Sequence, residues 1–322
     1  MPLSVSSIVV CAASGLFDET DAMRYTGTGK RWAYGKGETG KAMQKKIAVI
    51  NDIAGYGRCA MTVLLPIISY MGVQACPLLT SVFSSNTAFP DFFMDDYTDR
   101  MEAYIGSWEK IGLRQKFDGI ATGYLGSVRQ ITIVRRFVQE FSREGTLVIV
   151  DPVMGDHGRL YSAYTVELCT ELRKLVALAD IITPNLTESC HLAGIPYKEK
   201  GWKRKELFQM AESLSSMGPS HVVITGIPQG EYIANYVYVK TKSENPAARL
   251  IRVHKAGEER CSTGDVFSAI VAADAVNGVP FDKSVRKASG FVKQCVEKAL
   301  ELGTPPAEGV PYEAVLYRLK RG

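Results

Sequence analysis

Residues 46–58 read Lys46-Ile47-Ala48-Val49-Ile50-Asn51-Asp52-Ile53-Ala54-Gly55-Tyr56-Gly57-Arg58, a short apolar run followed by a polar, glycine-bearing segment. The apolar run is typical of a strand buried in a parallel sheet. Residues 60–71 then predict a helix and residues 73–79 a second strand, so the stretch opens a β-loop-α-β unit. We therefore expect residues 51–58 to form a loop at the carboxyl end of the first strand, where open α/β sheets bind ligands.

Strands and helices alternate along the rest of the chain. Further apolar runs predict strands at 119–124, 147–150, 180–183 and 221–226, and antiparallel edge strands at 232–240 and about 250–253. Periodic segments predict helices at 98–111, 130–144, 164–178, 205–217, 263–276, 281–302 and 312–319. This order predicts a three-layer α/β/α sandwich with a mostly parallel central sheet, in which the polar segments after the strands meet at one edge.

The bulk composition is typical of a soluble globular protein. The chain has 322 residues, of which 46% are apolar and 22% charged, enough for one large α/β domain. Its net charge of +4 is small and dispersed, which argues against nucleic acid or a membrane surface as a partner. The seven cysteines form no C-x-x-C pair, so reduced thiols and a cytoplasmic location are expected.

Residues 1–44 are rich in Gly, Ser, Thr and Lys without a sustained period, and they predict a disordered N-terminal extension. Residues 45–322 are then expected to form a single domain. The extension contains Gly35-Lys36-Gly37-Glu38-Thr39-Gly40-Lys41, which fits the spacing of a phosphate-binding P-loop. No apolar strand precedes it, and Ala42 stands where a P-loop has Ser or Thr, so we reject this interpretation.

A glycine-containing turn, Cys261-Ser262-Thr263-Gly264-Asp265, stands ahead of the apolar helical run 269–273. Its backbone N–H groups therefore lie at a helix N-terminus, which favours an anion such as phosphate. A bound phosphate would repel Asp265, unless that carboxylate takes a proton from an alcohol that attacks the phosphorus. The turn thus indicates a kinase, although an ordinary capping Asp fits the same residues.

Other predicted loops carry acids and aromatic rings. Asp151-Pro152-Val153-Met154-Gly155-Asp156 ends one strand, and its two carboxylates suit a hydrated Mg²⁺, which binds few carboxylates and keeps its waters. Glu188 follows the next strand, where a new helix begins. The polar loop 80–90 contains Phe83 and Phe89, a combination suited to stacking on a flat ring and hydrogen-bonding its edge.

Taken in order, these motifs resemble the ribokinase-type superfamily and, within it, the pyridoxal kinases, from about residue 45 to residue 318. The resemblance rests on residues 52–57, 83–87, 122–124, 151–156, 182–185 with Glu188, 223–226 and 263–265. It implies a ribokinase-like fold and an ATP-dependent kinase for the 5′-hydroxymethyl group of pyridoxal, pyridoxamine or pyridoxine. Homodimers are common in the family, so a homodimer is implied as well.

The resemblance also implies roles around the transferred phosphoryl group. It makes Asp265 the catalytic base. It assigns an anion hole to Ser262, Thr263 and Gly264. It assigns magnesium binding to Asp156 and Glu188.

The remaining implied roles concern the nucleotide, a second cation and the substrate. Family positions that contact ATP match Asn185, Thr225 and Gly226. Positions around a monovalent cation, K⁺ or Na⁺, match Asp151, Thr183 and Thr225. The pocket for the pyridine ring would be lined by Asp52, Thr87 and Tyr124.

Two residues depart from the family pattern and leave alternatives open. Ser262 stands where the family usually has glycine, which permits close approach to phosphate and unusual φ angles; a catalytically impaired paralogue that only binds a B6 vitamer or nucleotide is therefore an alternative. Asp52 stands where many members have Ser. The related hydroxymethylpyrimidine kinases generally have Cys in place of Asp265, which favours B6 vitamers without excluding that substrate. A sugar or nucleoside kinase fits the aromatic loop less well.

Overall fold

The computed structural model describes residues 44–161, 164–241 and 245–319. The predicted extension 1–44 lies outside the described residues except for Gln44, as does the rejected P-loop pattern. The proposed boundary between extension and domain therefore stays a prediction.

A nine-stranded sheet forms the centre of the described part of the chain. The described residues contain eleven strands, nine in this sheet and two in a separate hairpin. They are β1 (Lys46–Tyr56), β2 (Gln74–Ser85), β3 (Met94–Asp96), β4 (Gly119–Thr122), β5 (Leu147–Val150), β6 (Gly155–Asp156), β7 (Arg159–Leu160), β8 (Ile181–Ile182), β9 (His221–Gln229), β10 (Tyr232–Val239) and β11 (Ala247–His254). The order across the sheet is β11-β10-β9-β8-β5-β4-β1-β2-β3, and β6 with β7 makes a separate hairpin. The six strands from β9 to β2 in this order are parallel, whereas β3, β10 and β11 pair antiparallel to their neighbours.

Helices cover both faces of the sheet. They are α1 (Met61–Tyr70), α2 (Thr98–Lys110), α3 (Val128–Phe141), α4 (Val166–Val176), α5 (Leu186–Ala193), α6 (Arg204–Ser216), α7 (Thr263–Val276) and α8 (Phe281–Glu301). Because successive strand residues point to opposite faces, Ala48 and Ile50 pack in the core formed with α2 to α6, while Ile47 and Val49 pack in the core formed with α1, α7 and α8. The predicted three-layer α/β/α sandwich is confirmed.

The first two strands are longer than predicted. Residues 51–56 and 80–85, both expected in loops, continue β1 and β2, where Ile53 pairs with Val82 and Tyr56 with Ser85. Short β3 pairs with the same part of β2. The expectation of loops was wrong here because pairing between distant segments, and not the local polar composition, decides an extended conformation.

The last predicted helix, residues 312–319, is replaced by two short 3₁₀ turns, Tyr312–Ala314 and Leu316–Arg318. Val315 between them has φ −123°, which is outside the helical range. No helix among the described residues is both long and apolar enough to cross a membrane.

Candidate active site

A cavity of about 750 Å³ opens at the carboxyl ends of the parallel strands. Most of the predicted site residues line it, namely Asp151, Asp156, Thr183, Asn185, Glu188, Thr225, Gly226, Ser262, Thr263, Gly264 and Asp265. The predicted substrate residues Asp52, Thr87 and Tyr124 are not among its lining residues. The structure thus gathers the residues predicted for ATP, cations and phosphoryl transfer from four segments far apart in the sequence.

Helix α7 begins at Thr263, so the N–H groups of its first turn face the cavity and have no partners within the helix. Gly264 is exposed, and open space surrounds the position that a Cβ would occupy there. Asp265 lies in the same first turn. This geometry is compatible with the predicted anion hole, whose role stays a prediction.

Ser262, the N-cap of α7, has the left-handed conformation, with φ 68° and ψ 0°. Glycine adopts this conformation freely, whereas a residue with a side chain loses roughly 1–2 kcal/mol. The Ser262 side chain does not cap its own helix. Its Oγ instead accepts a hydrogen bond from the Val310 N–H at 3.2 Å. The serine that stands in place of the family's glycine is therefore strained and has a specific hydrogen-bond partner.

Asp265, the predicted base, is half-buried at the start of α7. Burial raises the pKa of its carboxyl group to about 6, and a hydrogen bond from the backbone N–H of Ala60 acts in the opposite direction. Ala60 is the N-cap of α1 and has a positive φ of 48°. The N-terminus of a second helix thus supports the carboxylate form of Asp265.

Asp52 lies close enough to Asp265 for their charges to interact. Burial, and secondly the charge of Asp265, raise the pKa of Asp52 to about 7. The register between β1 and β2 shifts between Asn51 and Ile53, so Asp52 occupies an irregular position in the strand, as residues next to active sites often do.

Tyr124, another predicted substrate residue, is linked to Asp52 through Asn51. The Asn51 Oδ1 atom accepts the N–H of Asp52 at 3.0 Å and the N–H of Tyr124 at 2.8 Å. Burial raises the pKa of the Tyr124 hydroxyl, with a further contribution from the charge of Asp52. The Tyr124 ring packs edge-on against Phe83 with 6.1 Å between centroids. Thr87, in contrast, is exposed in the loop after β2.

Asn51 was missed by the sequence analysis. It is buried and directly follows the apolar run of β1. A Cβ at Gly123 would lie 2.5 Å from the Asn51 amide nitrogen, so only glycine permits this packing. The sequence did contain a signal for Asn51. It is a polar residue at the end of a buried strand, and a glycine follows the neighbouring strand.

The acids near the predicted cation sites repel one another. Burial, and then the charge of Asp265, raise the pKa of Asp151 to about 7. Burial, and then the charge of Asp151, raise the pKa of Glu188 well above its usual value. Within the described residues neither acid has a Lys or Arg partner at ion-pair distance. Bound cations would relieve this repulsion, so the charge of the cluster fits a cation site.

The described residues contain no group of three or more His, Cys, Asp or Glu side chains arranged to hold a metal ion. A magnesium ion that binds one or two carboxylates and otherwise water or phosphate does not need such a group. The donor set at Asp156 and Glu188 therefore fits Mg²⁺ in this hydrated mode.

Glu188 and Asn185 also have structural roles. The Glu188 carboxylate accepts the N–H of Asn185 at 2.8 Å and the N–H of Met154 at 3.2 Å. The Asn185 side chain accepts the N–H of Glu188 and donates to the Gly155 carbonyl, at 2.9 and 2.8 Å. This reciprocal cap of α5 fixes the β6–β7 hairpin at the cavity, which the sequence analysis did not predict.

Asn235 is a second residue that the sequence analysis missed. Its Oδ1 accepts the N–H of Gly226 at 3.2 Å, and its amide donates to the Ser289 hydroxyl at 2.7 Å. Gly226 has a positive φ of 69°, and β10 has an irregular register with β9 at this point. Asn235 thus fixes the Gly226 peptide, a predicted ATP contact. A polar residue inside the apolar strand 232–240 was its signal.

Residues 65–309 match the family model described as phosphomethylpyrimidine kinase. Human pyridoxal kinase is 32% identical over 176 residues, which cover 49% of this chain and 54% of that protein. A pyridoxine/pyridoxal/pyridoxamine kinase of Bordetella avium is 26% identical, covering 80% of this chain and 86% of that protein. The chain thus spans about half the length of the human relative and most of the bacterial one.

A solved structure of a Bacteroides thetaiotaomicron protein, described as a phosphomethylpyrimidine kinase in a crystal form with pyridoxal, is 36% identical. It superimposes with a TM-score of 0.81 and covers 86% of this chain and 96% of that one. The predicted resemblance to pyridoxal kinases is confirmed by these relatives. The family model matches more than half of the length of this chain, and the chain therefore belongs to the phosphomethylpyrimidine kinase family.

Proposed function

We propose that this chain is an ATP- and magnesium-dependent pyridoxal kinase, which transfers the γ-phosphoryl group of ATP to the 5′-hydroxymethyl group of a B6 vitamer. The observation that carries the proposal is the position of Asp265, beside the free N–H groups of α7 at one cavity. The names of the human and Bordetella relatives, and the pyridoxal in the Bacteroides crystal form, support this choice of substrate.

The proposed chemistry is mainly positioning and charge stabilisation. Asp265 accepts the proton of the substrate alcohol as its oxygen attacks the phosphorus, and a carboxyl pKa of about 6 leaves it mostly ionised at neutral pH. The N–H groups at Thr263 and Gly264, with Ser262 before them, stabilise the negative charge on the transferred group.

In this proposal Asp156 and Glu188 hold magnesium, which would neutralise phosphate charge when bound. Asn185, Thr225 and Gly226 contact ATP, and Asp151, Thr183 and Thr225 surround a monovalent cation. The repulsion between Asp151 and Glu188 supports a cationic occupant. The substrate ring lies near Asp52, Thr87 and Tyr124, where Phe83 adds an aromatic surface.

A second candidate is phosphorylation of hydroxymethylpyrimidine, because the matching family model carries the name phosphomethylpyrimidine kinase. Both substrates are flat heteroaromatic rings with a hydroxymethyl group, so the positions of Asp265 and α7 suit either. Their relative rates have to be compared directly.

The experiment is ADP release by the purified protein with ATP and magnesium. Pyridoxal, pyridoxamine, pyridoxine, hydroxymethylpyrimidine and ribose are offered in parallel, and ATP binding is measured separately. We expect turnover of at least one B6 vitamer and the highest kcat/KM among these compounds for a vitamer. Exclusive turnover of hydroxymethylpyrimidine would establish the second candidate. Binding of ATP without turnover of any compound would support the impaired paralogue.

The pH dependence of the reaction should report the ionisation of the Asp265 carboxyl group. Its pKa is raised to about 6, and the active form is the carboxylate, so activity is present above this pKa and is lost as the pH falls through it. We expect kcat/KM to fall about tenfold per pH unit below roughly pH 6. Initial rates between pH 4.5 and 8, with circular dichroism at each pH to exclude unfolding, test this; constant activity down to pH 5 would contradict it.

The homodimer, the cytoplasmic location and the boundary at residue 45 are proposals that rest on the family resemblance and composition. Light scattering coupled to size-exclusion chromatography measures the first, and fractionation of cells measures the second. A truncated protein, residues 45–322, should keep full kinase activity. A large loss in kcat/KM would show that residues 1–44 take part in the function.

A further inference from the structure

A short segment near the C-terminus, residues 305–310, crosses the candidate site, and we call it the strap. Pro306 and Ala307 of the strap line the cavity beside the start of α7 and beside Ala88 of the loop after β2. The strap therefore lies between the predicted phosphoryl-transfer end of the cavity and the loop predicted to hold the substrate ring.

Hydrogen bonds fasten the strap to the end of β1, to the loop after it and to the loop after β2. The Arg58 N–H donates to the Glu308 carbonyl at 3.1 Å, and the Tyr56 hydroxyl donates to the Glu308 carboxylate at 3.0 Å. The Asn86 amide donates to the Ala307 carbonyl at 2.7 Å. Asn86 directly precedes Thr87, so the strap touches the segment predicted to bind the substrate.

Ser262 fastens the strap to the third segment, the N-terminus of α7. Its Oγ accepts the N–H of Val310, a residue that is fully buried. Gly309, with φ 76°, permits this approach, because a Cβ there would lie 2.7 Å from the Ser262 Oγ and 2.6 Å from the Arg58 carbonyl oxygen. Without the serine hydroxyl, the buried Val310 N–H has no other hydrogen-bond partner in the described residues, which is costly.

The two properties of Ser262 act in opposite directions on stability. Its left-handed backbone is strained, whereas its hydroxyl satisfies a buried N–H of the strap. Glycine would remove the strain and the hydrogen bond together. The hydrogen bond to the strap thus explains why a serine occupies this strained position. The serine need not be interpreted as damage to the anion hole.

We propose that Ser262 is a positioning residue whose hydroxyl fastens the strap between the start of α7 and the loop after β2, where the strap supports the segment that holds the alcohol substrate. This inference rests on the proposed kinase function. Ser262 acts through the strap, so its loss should weaken substrate binding more than nucleotide binding.

The test compares Ser262→Gly, which removes strain and hydroxyl, with Ser262→Ala, which removes only the hydroxyl. The first readout is amide hydrogen exchange of the strap. Loss of one hydrogen bond should speed exchange of the Val310 amide about tenfold in both variants. The second readout is kinetic: KM for the vitamer should rise about 3- to 30-fold in both, with a smaller change in KM for ATP. Thermal stability should fall for Ser262→Ala and be higher for Ser262→Gly than for Ser262→Ala.

Asn86→Ala provides an independent variant, because it releases the strap from the loop after β2 without touching α7. It should also raise exchange in the strap and KM for the vitamer. Unchanged strap exchange in Ser262→Gly, or a higher turnover with unchanged KM, would overturn the proposal. Failure of the proposed kinase function gives a different result. The unmodified protein would then turn over no vitamer, although its Val310 amide is protected from exchange.

Discussion

Replacing Asp265 by Asn is expected to lower kcat by roughly 10²- to 10⁴-fold, the usual contribution of a general base. Asn keeps the shape of the side chain and an oxygen that can accept the Ala60 N–H, so the fold and the start of α7 should be preserved. It cannot take the proton of the attacking alcohol. Because this interaction forms only in the transition state, kcat should fall and KM for both substrates should change little.

The effect is measured by ADP release at saturating ATP and vitamer, with ATP binding and thermal stability recorded for each protein. Asp99→Asn is a matched control. Asp99 lies in the first turn of α2, as Asp265 lies in the first turn of α7, but the side chain of Asp99 is exposed to solvent. Its kcat should be unchanged. Near-normal turnover by Asp265→Asn would remove the assignment of Asp265 as base and leave it a helix-capping acid.

Much of the fold could be predicted because buried parallel strands have a local signature. The runs 47–50 and 147–150 are apolar throughout, and the parallel core consists of such strands. The bounds of α7 were predicted as they are observed, 263–276, because a glycine turn precedes an apolar run. The extension of β1 and β2 could not be predicted, since it depends on pairing between Ile53 and Val82 and with β3.

The predicted site residues at strand ends could be found because parallel strands bring their carboxyl ends to one edge. The residues that fix them were missed because their partners are distant in sequence. Asn51 binds the Tyr124 N–H 73 residues away, and Asn86 binds the Ala307 carbonyl 221 residues away. Nor could composition reveal the positive φ of Ser262. Such long-range contacts leave no periodic pattern in the chain.

The helix that carries Asp265 is itself held by an ion pair between a fully buried carboxylate and a lysine whose side chain is 26% exposed. Asp274 of α7 is completely buried, and Lys287 of α8 donates to it at 2.8 Å. One Asp274 oxygen has no partner among the described residues, so Lys287 provides the charge compensation. Removing one member of a buried pair leaves an uncompensated charge, which costs about 3–5 kcal/mol.

We therefore expect Lys287→Met to lower the free energy of unfolding by about 3–5 kcal/mol, measured by chemical denaturation followed by circular dichroism. The double variant Asp274→Leu/Lys287→Met removes both charges and should recover most of this loss, because apolar residues can replace a buried pair. Lys298→Met is a control on the same helix: its partner Glu301 is 66% exposed, and a surface pair contributes about 1 kcal/mol or less. If Lys287→Met lost no more stability than Lys298→Met, the pair would not hold α7 on α8. A large loss that the double variant repairs would show that charge compensation at Asp274, far from the cavity, keeps the helix that carries Asp265 in place.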